Sequence, residues 1–250
     1  MITLVLGTGR SGTTLVTEML AAHPQMNPTK EVEDRQFFKR PVDHPYPENY
    51  MTKLTIDWWT IEELVKWMRE RKDIKVLWTM RDPRDICLSK IRRGQPFSIG
   101  GDGSDQLADD ATEEGLVEDL ERTQEAFEAL AEDPSLYKDV LLVKMENTIT
   151  SAEKECKRWC KHLALEYSPE MLEGPAHMRD KYKMTRYKGK IQVSQLCLWK
   201  RLYSIYDGFF KTFDSDMLRR VLTSNIVENM IEFYDYEGDV RGDLFRRPRE

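Results

Sequence analysis

The sequence predicts an α/β fold with a mostly parallel central sheet. Three short apolar runs of strand-forming residues lie far apart in the chain, at Ile2–Leu6, Ile74–Met80 and Val140–Glu146. Each run is followed by a segment whose apolar residues recur at helical spacing. Strands that alternate with helices in this way favour βαβ units, in which the strands lie parallel and the helices cover the sheet.

The first strand opens the most informative stretch of the chain, Met1–Thr14. Ile2–Leu6 is too short for a helix and is followed by the glycine-rich run Gly7–Gly12, after which Leu15–Leu20 has helical spacing. A strand, a glycine turn and a helix point several backbone N–H groups and the positive end of a helix dipole at one place. That arrangement suits a phosphate group.

Two nucleotide-binding motifs overlap on this run. Gly7, Gly9 and Gly12 form G-x-G-x-x-G, the dinucleotide fingerprint. Gly7, Gly12 and Thr14 also fit the phosphate loop G-x-x-x-x-G-K-[ST], except that Thr13 stands in the place of the lysine. We call Gly7–Thr14 the phosphate loop below.

The dinucleotide fingerprint further requires a second strand that ends in an acidic residue about 20 positions on. Glu31 and Glu33 lie at about that distance, but they follow Pro24–Lys30, which has no strand pattern. The sequence therefore favours the phosphate loop over the dinucleotide fingerprint.

The missing lysine indicates which kind of phosphate loop this is. An enzyme that uses a nucleoside triphosphate needs the lysine ammonium on the β- and γ-phosphates, whereas here the cation is Arg10. The run Arg10–Leu15, followed by Met19–Pro24, resembles the opening of sulfotransferases that use 3′-phosphoadenosine-5′-phosphosulfate (PAPS), especially tyrosylprotein, Golgi-type and bacterial members. The resemblance implies that the 5′-phosphosulfate is bound by Arg10, Ser11, Gly12, Thr13 and Thr14. A glycine turn that binds nothing is the alternative for this segment alone.

The second strand contains the second half of the resemblance. Sulfotransferases place an arginine at the end of this strand and a serine eight residues on, both in contact with the 3′-phosphate of PAPS; Arg81 and Ser89 have that spacing. Arginine suits the role because its planar guanidinium donates two hydrogen bonds to one phosphate. A surface ion pair, Arg81 with Asp85 or Asp82 with Arg84, is the alternative. Together the two motifs imply a P-loop-like three-layer α/β/α domain with ligands at the carboxyl ends of the strands.

A carboxylate that acts as the catalytic base is expected soon after the first helix, where the family has a pattern resembling E-x-x-x-F-F or E-E-x-x-F-F. An acceptor hydroxyl attacks sulfur more readily when a base takes its proton. Glu31, Glu33 and Asp34 compete for this role ahead of Phe37 and Phe38, and either glutamate is favoured over the aspartate. A charged surface loop anchored by the two phenylalanines is the alternative.

Two elements are predicted between this region and the second strand. The proline- and aromatic-rich segment Val42–Tyr50 is interpreted as an ordered loop that forms a wall of the acceptor pocket. Its His44 ranks below the glutamates as a base, because it lacks the motif around the histidine of the soluble sulfotransferases. Thr60–Glu63 predicts a capping box at the start of an amphipathic helix.

A basic–glycine motif lies late in the chain, at Arg186, Lys188, Gly189 and Lys190. Many sulfotransferases have such a motif, R-K-G for example, folded over the 3′-phosphate and adenine of PAPS, and the resemblance implies the same role here. A generic basic surface is the alternative. Segments 193–213 and 216–234 are interpreted as closing helices, and residues 241–250 as a charged tail.

The net charge of −6 conceals two regions of opposite sign. Asp102–Asp133 has 13 acidic residues and a single basic one, Arg122, which leaves 37 basic and 31 acidic residues in the rest of the chain. A positive remainder suits a small, highly anionic ligand, although a solvated acidic face explains the segment equally well. The basic stripe of a nucleic-acid binder is absent from the sequence.

Length and cysteine usage favour one cytoplasmic domain over residues 1–250. No linker rich in proline, glycine or serine divides the 250 residues. The first strand begins at Ile2, so no signal peptide is expected, and no apolar run approaches the length of a membrane span. The four cysteines are interpreted as reduced and mostly buried thiols.

As a whole, the sequence predicts a PAPS-dependent sulfotransferase that moves a sulfuryl group to a hydroxyl or amine by in-line displacement, without a metal. Arg10 and the loop amides are expected to hold the 5′-phosphate and to stabilise charge on the departing oxygen. The acceptor class, a small molecule, a glycan or a peptide, stays open. So do two other functions: a small-molecule kinase using ATP and magnesium, against which Thr13 argues, and a non-catalytic nucleotide-binding module.

Overall fold

The computed structural model describes residues 1–34, 36–56, 59–93, 112–174, 220–221 and 223–236, except for the side chains of residues 30–33, 88, 89 and 91–93. These residues fall into two compact units. The first takes Met1–Arg81 and the described part of Glu125–Lys200, and the second the described parts of Asp82–Gln124 and Arg201–Glu250. The single domain over residues 1–250 stays a prediction.

The described residues contain five strands and eight α-helices. The strands are β1 (Ile2–Gly7), β2 (Asn27–Glu33), β3 (Tyr50–Thr55), β4 (Ile74–Met80) and β5 (Val140–Lys144). The helices are α1 (Thr13–Ala21), α2 (Ile61–Glu70), α3 (Pro83–Arg93), α4 (Glu113–Ala131), α5 (Pro134–Tyr137), α6 (Met145–Thr150), α7 (Ala152–His162) and α8 (Asn225–Phe233). Short 3-10 helices lie at Phe37–Lys39 and Pro169–Glu173.

The five strands form one sheet in the order β2-β3-β1-β4-β5, and every neighbouring pair is parallel. The α/β fold with a mostly parallel sheet is therefore confirmed. Because all strands run the same way, their carboxyl ends meet at one edge of the sheet. The phosphate loop follows β1 and Arg81 follows β4, so both predicted phosphate motifs lie at that edge.

Helices cover both faces of the sheet in the first unit. On one face Val5 and Leu77 pack in a buried cluster with Val16 of α1 and Trp159 of α7. On the other face Trp78 lies with its ring centroid 5.4 Å from that of Phe127 in α4. The alternation of Leu77 and Trp78 between the two faces is what a strand buried on both sides requires.

Strand β2 corrects the sequence analysis, which found no strand in Pro24–Lys30. The structure has a strand at Asn27–Glu33, where Asn27 and Pro28 pair with Tyr50 and Met51 of β3. Because β2 is an edge strand, the missing N–H of a proline costs it no hydrogen bond to a second neighbour. Strand β3 has no counterpart among the predicted elements either.

The third predicted strand is shorter than Val140–Glu146. It ends at Lys144, and Met145 and Glu146 already belong to α6. Helix α4 takes up much of the acidic stretch Asp102–Asp133, and the last predicted helix is confirmed over Asn225–Phe233. The segment 193–213 lies outside the described residues.

The second unit contains a buried ion pair between two helices. Lys90 of α3 donates to the carboxylate of Asp119 in α4, and both side chains are almost fully buried. Near the start of α4, Arg220 pairs with Glu113 at 2.7 Å. Since an isolated buried charge is costly, the Lys90–Asp119 pair fixes how α3 and α4 pack.

Three of the four cysteines are described, and all three are free and buried. Burial raises the pKa of Cys87 to about 12, and that of Cys156 to the same value. Cys160 contacts Met171 at 3.5 Å between the sulfur atoms. The prediction of reduced, buried thiols is confirmed for these three, and Cys197 lies outside the described residues.

The capping box of α2 is confirmed. The Glu63 N–H donates to Thr60 Oγ1 at 3.3 Å, and the Thr60 N–H donates to Glu63 Oε2 at 2.9 Å. Two N–H groups that an α-helix leaves without an intrahelical partner are thus satisfied.

We predict that Thr60→Ala lowers the free energy of unfolding by about 1 kcal/mol, because it removes the capping oxygen at the start of α2. Urea denaturation followed by circular dichroism measures the change. Thr60→Ser is the matched control, since it keeps the hydroxyl; equal losses in the two variants would contradict a role for the cap.

Candidate functional site

The phosphate loop turns the chain from β1 into α1 through backbone conformations that side chains rarely adopt. The φ angles of Gly7, Arg10 and Gly12 are 151°, 76° and 100°. Glycine adopts such angles readily, whereas an arginine does so only when its surroundings impose it. Strain of this kind clusters at functional sites, and here it falls on the one cation of the loop.

Two positions of the loop favour glycine, Gly7 because a side chain would clash with the Thr79 backbone and Gly12 because of its positive φ angle. A Cβ atom on Gly7 would lie 2.4 Å from Thr79 Oγ1 and 2.6 Å from the Thr79 carbonyl oxygen. A Cβ atom on Gly12 would lie 2.4 Å from Met145 Sδ. The loop therefore packs directly against the end of β4 and the start of α6.

Buried hydroxyl groups hold the loop to the sheet. Ser11 Oγ lies 2.7 Å from the Thr8 carbonyl oxygen and 2.8 Å from Thr79 Oγ1, while Thr79 Oγ1 lies 3.0 Å from the Leu6 carbonyl oxygen. The Ser11 N–H also donates to the Thr8 carbonyl oxygen, at 3.2 Å. Both polar groups of Ser11 are thus used inside the loop, where they set its shape.

The N-terminus of α1 is suited to an anion. The first helical residues, Thr13, Thr14 and Leu15, have no carbonyl oxygen four residues earlier in the helix to which their N–H groups can donate. The first turn contains no acidic side chain, and Gly12 serves as the N-cap without a side-chain bond. Amide donors and the positive end of the helix dipole therefore point in the same direction, without a nearby carboxylate from this turn.

A lysine that the sequence analysis missed lies at this helix end. Lys53 belongs to β3, next to β1, and its Nζ donates to Thr14 Oγ1 at 3.3 Å. Together with Arg10 it places a second cation beside the phosphate loop. The sequence offered one signal, a lysine inside the alternating run Tyr50–Thr55, but it is far from the loop in the chain and its strand was not predicted.

The strand register brings one of the candidate bases beside this lysine. Glu33 of β2 is the Cα partner of Lys53, which in turn is the partner of Val5 in β1. Neighbouring strands lie about 4.8 Å apart, so the backbone of Glu33 is one strand away from Lys53. Glu31 lies two residues farther from the carboxyl end of β2.

The third candidate, Asp34, is occupied by other side chains. Arg40 donates to both carboxylate oxygens, Tyr50 Oη donates to Oδ2 at 2.6 Å, and the Gln36 N–H donates to Oδ1 at 3.2 Å. Burial alone would raise the pKa of Asp34, but the hydrogen bonds from Arg40 and Tyr50 outweigh it and hold the pKa below its usual value. A carboxylate stabilised in this way is a weak proton acceptor.

The loop predicted at Val42–Tyr50 is present up to Asn49, whereas Tyr50 already belongs to β3, and its role as a wall of the acceptor pocket stays a prediction. Arg71 Nη1 donates to the carbonyl oxygens of Val42, at 2.9 Å, and His44, at 2.8 Å. The His44 ring packs against Tyr46 with centroids 4.9 Å apart.

The residues predicted for the 3′-phosphate are described only in part. Arg81 is buried directly after β4, and Ser89 lies within α3, with its side chain outside the described part of the structure. Arg84 pairs with Asp82, as the alternative interpretation predicted, and the assignment of Arg81 to a phosphate stays a prediction. The late residues Arg186, Lys188, Gly189 and Lys190 lie outside the described residues.

The order of the strands distinguishes the phosphate loop from the dinucleotide fingerprint. In a dinucleotide-binding fold the strand that ends in the ribose-binding acid lies beside the first strand. Here β2 does end in an acidic residue, Glu33, but β3 lies between β2 and β1. The preference for a phosphate loop therefore stands on the strand order rather than on the absence of a strand before Glu33.

Neither a candidate metal centre nor a candidate membrane span occurs among the described residues. They contain no group of three or more histidine, cysteine or acidic side chains placed to hold a metal ion. None of the described helices is long and apolar enough to cross a membrane.

Residues 3–70 of the chain match the model of the Sulfotransferase family, and a search of curated protein sequences found no significant match. Among solved structures, mouse sulfotransferase SULT7A1 complexed with PAP aligns with a TM-score of 0.57 at 15% identity, over 92% of this chain and 88% of its own. The sulfotransferase domain from the curacin biosynthetic pathway gives 0.56 at 13% identity, over 95% and 98%. The sulfotransferase domain from the Synechococcus PCC 7002 olefin synthase gives 0.53 at 12% identity, over 95% of each chain.

At such identities the structural likeness establishes the fold. The family match adds the sequence of the phosphate loop, of β2 and β3, and of α2, so it covers the part of the chain that forms the anion site. Residues 3–70 are thus similar to the Sulfotransferase family, and the chain has the fold of these solved sulfotransferases.

Proposed function

We propose that this protein transfers a sulfuryl group from PAPS to a hydroxyl or amine acceptor. The strongest support is the set of groups at the N-terminus of α1, which follows the carboxyl end of the central strand. Lys53 donates to Thr14 there, beside the helix amides, and Arg10 lies in the same loop with a strained backbone. The family match over residues 3–70 supports the same reaction, as does the mouse sulfotransferase complexed with PAP.

The residues present fit a phosphosulfate. A phosphosulfate has several negatively charged oxygens close together. The N-terminus of α1 offers N–H donors, the Thr14 hydroxyl and the Lys53 ammonium to bind them. The group supplies an activated sulfur with a good leaving group when it is bound.

In the proposed step an acceptor oxygen or nitrogen attacks the sulfur atom, and the bond from sulfur to the 5′-phosphate oxygen breaks. The acceptor proton passes to the carboxylate of Glu33. The electron pair stays on the departing phosphate oxygen, where Lys53, Arg10 and the α1 amides stabilise the charge. The products are the sulfated acceptor and adenosine 3′,5′-bisphosphate.

Glu33 is the proposed base because its register places it beside Lys53. Glu31 is the next candidate, two residues earlier in the same strand. Asp34 is the least suited, since Arg40 and Tyr50 stabilise its ionised form. His44 lies in the loop beyond Asp34, with its ring against Tyr46.

We propose that Arg81 and Ser89 bind the 3′-phosphate, as their spacing implied, and that Arg186, Lys188, Gly189 and Lys190 close over the nucleotide. A phosphate held by a buried arginine would select PAPS over ATP. The kinase alternative lacks the loop lysine that a nucleoside triphosphate needs, since Thr13 stands in its place. Three acceptor classes stay open, as in the sequence analysis: a small molecule, a glycan or a peptide.

We predict that adenosine 3′,5′-bisphosphate binds the wild-type protein, that Arg81→Ala weakens this binding at least tenfold, and that ATP with magnesium binds negligibly. The physical reason is the loss of a bidentate guanidinium–phosphate contact. Isothermal titration calorimetry measures all three. Arg84→Ala is the matched control, because this nearby arginine is paired with Asp82. Preferential binding of ATP with magnesium would contradict the sulfotransferase proposal and favour the kinase.

We also predict that Glu33→Gln lowers turnover of PAPS by about 100-fold or more, while the affinity for the bisphosphate changes less than threefold, since a general base contributes about that much. Turnover is followed as release of the bisphosphate from PAPS, with water and then p-nitrophenol as acceptor. Glu31→Gln is the comparison variant, expected to keep most of the rate. The reverse ranking would assign the base to Glu31, and wild-type binding without turnover would favour the non-catalytic module.

A further inference from the structure

We infer that Asp34, with Arg40 and Tyr50, is a positioning group that holds the end of β2 so that Glu33 stays beside Lys53. This inference rests on the proposed function, because it assigns a task to the residue next to the proposed base. It gives a role to a carboxylate that the sequence placed among the candidate bases and the structure shows to be occupied by other side chains.

The sheet alone holds Glu33 poorly. Between the pairs Pro28–Met51 and Glu33–Lys53 the chain advances five residues in β2 but only two in β3, so the register shifts between them. Extra residues of this kind interrupt the ladder of backbone hydrogen bonds. Moreover, among the described strands β2 lies at the edge of the sheet and pairs with β3 alone. The end of β2 therefore needs contacts from outside the ladder to be fixed.

Asp34 supplies such contacts through both its backbone and its side chain. Its N–H donates to Thr52 Oγ1 of β3 at 3.0 Å, and its carboxylate accepts from Tyr50 Oη, also of β3, at 2.6 Å. Arg40 Nη2 donates to Oδ1 at 3.0 Å, while Arg40 Nη1 donates to Oδ2. A bidentate pair fixes direction as well as distance. The residue that follows Glu33 is thus tied to the neighbouring strand at two points.

The partners of Asp34 are themselves rigid. Tyr50 is nearly fully buried, and Arg40 lies over the Tyr46 ring at 5.8 Å, with Arg71 over the same ring at 5.6 Å. Phe37, in the short helix between Asp34 and Arg40, is fully buried and stacks against Trp67 of α2 at 4.6 Å. Asp34 is therefore held by a packed aromatic cluster and transmits that rigidity to Glu33.

The chemistry of Asp34 fits positioning rather than proton transfer. Only about a tenth of its side chain is exposed, and the hydrogen bonds from Arg40 and Tyr50 outweigh burial to keep its pKa low. The group is ionised throughout the neutral range, so it neither takes a proton nor changes its contacts there. Of the two adjacent carboxylates, Asp34 is therefore the one held by other side chains, and the proposed base is Glu33.

The experiment compares Asp34→Asn and Tyr50→Phe with Glu155→Gln. Glu155 is a matched control, because it is a buried carboxylate to which Arg158 donates twice, within α7 and apart from the aromatic cluster that holds Asp34. We expect the first two variants to lower kcat for bisphosphate release from PAPS at least tenfold, with KM for PAPS and bisphosphate affinity within twofold of wild type. Glu155→Gln should leave all three unchanged, and urea denaturation identifies any variant that has lost its fold.

The deciding measurement is a double-mutant cycle with Glu33→Gln. If Asp34 acts through Glu33, Asp34→Asn has no further effect on the residual rate of the Glu33→Gln protein. A full additional loss in that background, or an equal loss of kcat in Glu155→Gln, would overturn the inference while leaving the proposed function intact. Wild-type protein that binds no bisphosphate would instead overturn the proposed function, and the inference with it.

Discussion

The packing of Gly7 and Gly12 against the ends of β4 and α6 is the constraint on which the site depends. Gly7 has no space for a Cβ atom beside the Thr79 backbone, Gly12 has a φ angle that side chains rarely adopt, and the hydrogen bond between Ser11 and Thr79 holds the loop to the sheet. This close approach orients α1 so that its amides point out at the edge of the sheet. A loop held away from the sheet by side chains would present neither those amides nor Thr14 to an anion.

The strand order then decides which side chains surround the loop. With β1 in the centre, its neighbour β3 places Lys53 beside Thr14, and its other neighbour β4 ends directly before Arg81. These residues come from chain segments that share no local motif. Parallel strands gather them because the carboxyl ends of all five lie at one edge. The sheet thus supplies the cations that the phosphate loop lacks through its missing lysine.

Adjacent carboxylates at the end of β2 illustrate how environment separates chemical roles. Glu33 has a lysine as its register partner, whereas Asp34 has an arginine and a tyrosine bonded to its oxygens. Two acids of similar intrinsic pKa thereby become suited to different tasks. The irregular pairing of β2 makes the division useful, because an edge strand whose register shifts leaves its last residue without a continuous ladder to hold it.

The sequence by itself determined the strand–loop–helix unit at Gly7–Thr14, the second phosphate motif after β4 and the capping box at Thr60, because each depends on residues close together in the chain. Only the tertiary structure decided that β3 lies beside β1, that Asn27–Glu33 is an edge strand and that Lys53 meets Thr14. It also decided that the Asp34 carboxylate accepts hydrogen bonds from Arg40 and Tyr50. Pairing between strands and contacts between distant side chains depend on the packing of the whole sheet, which no local pattern records.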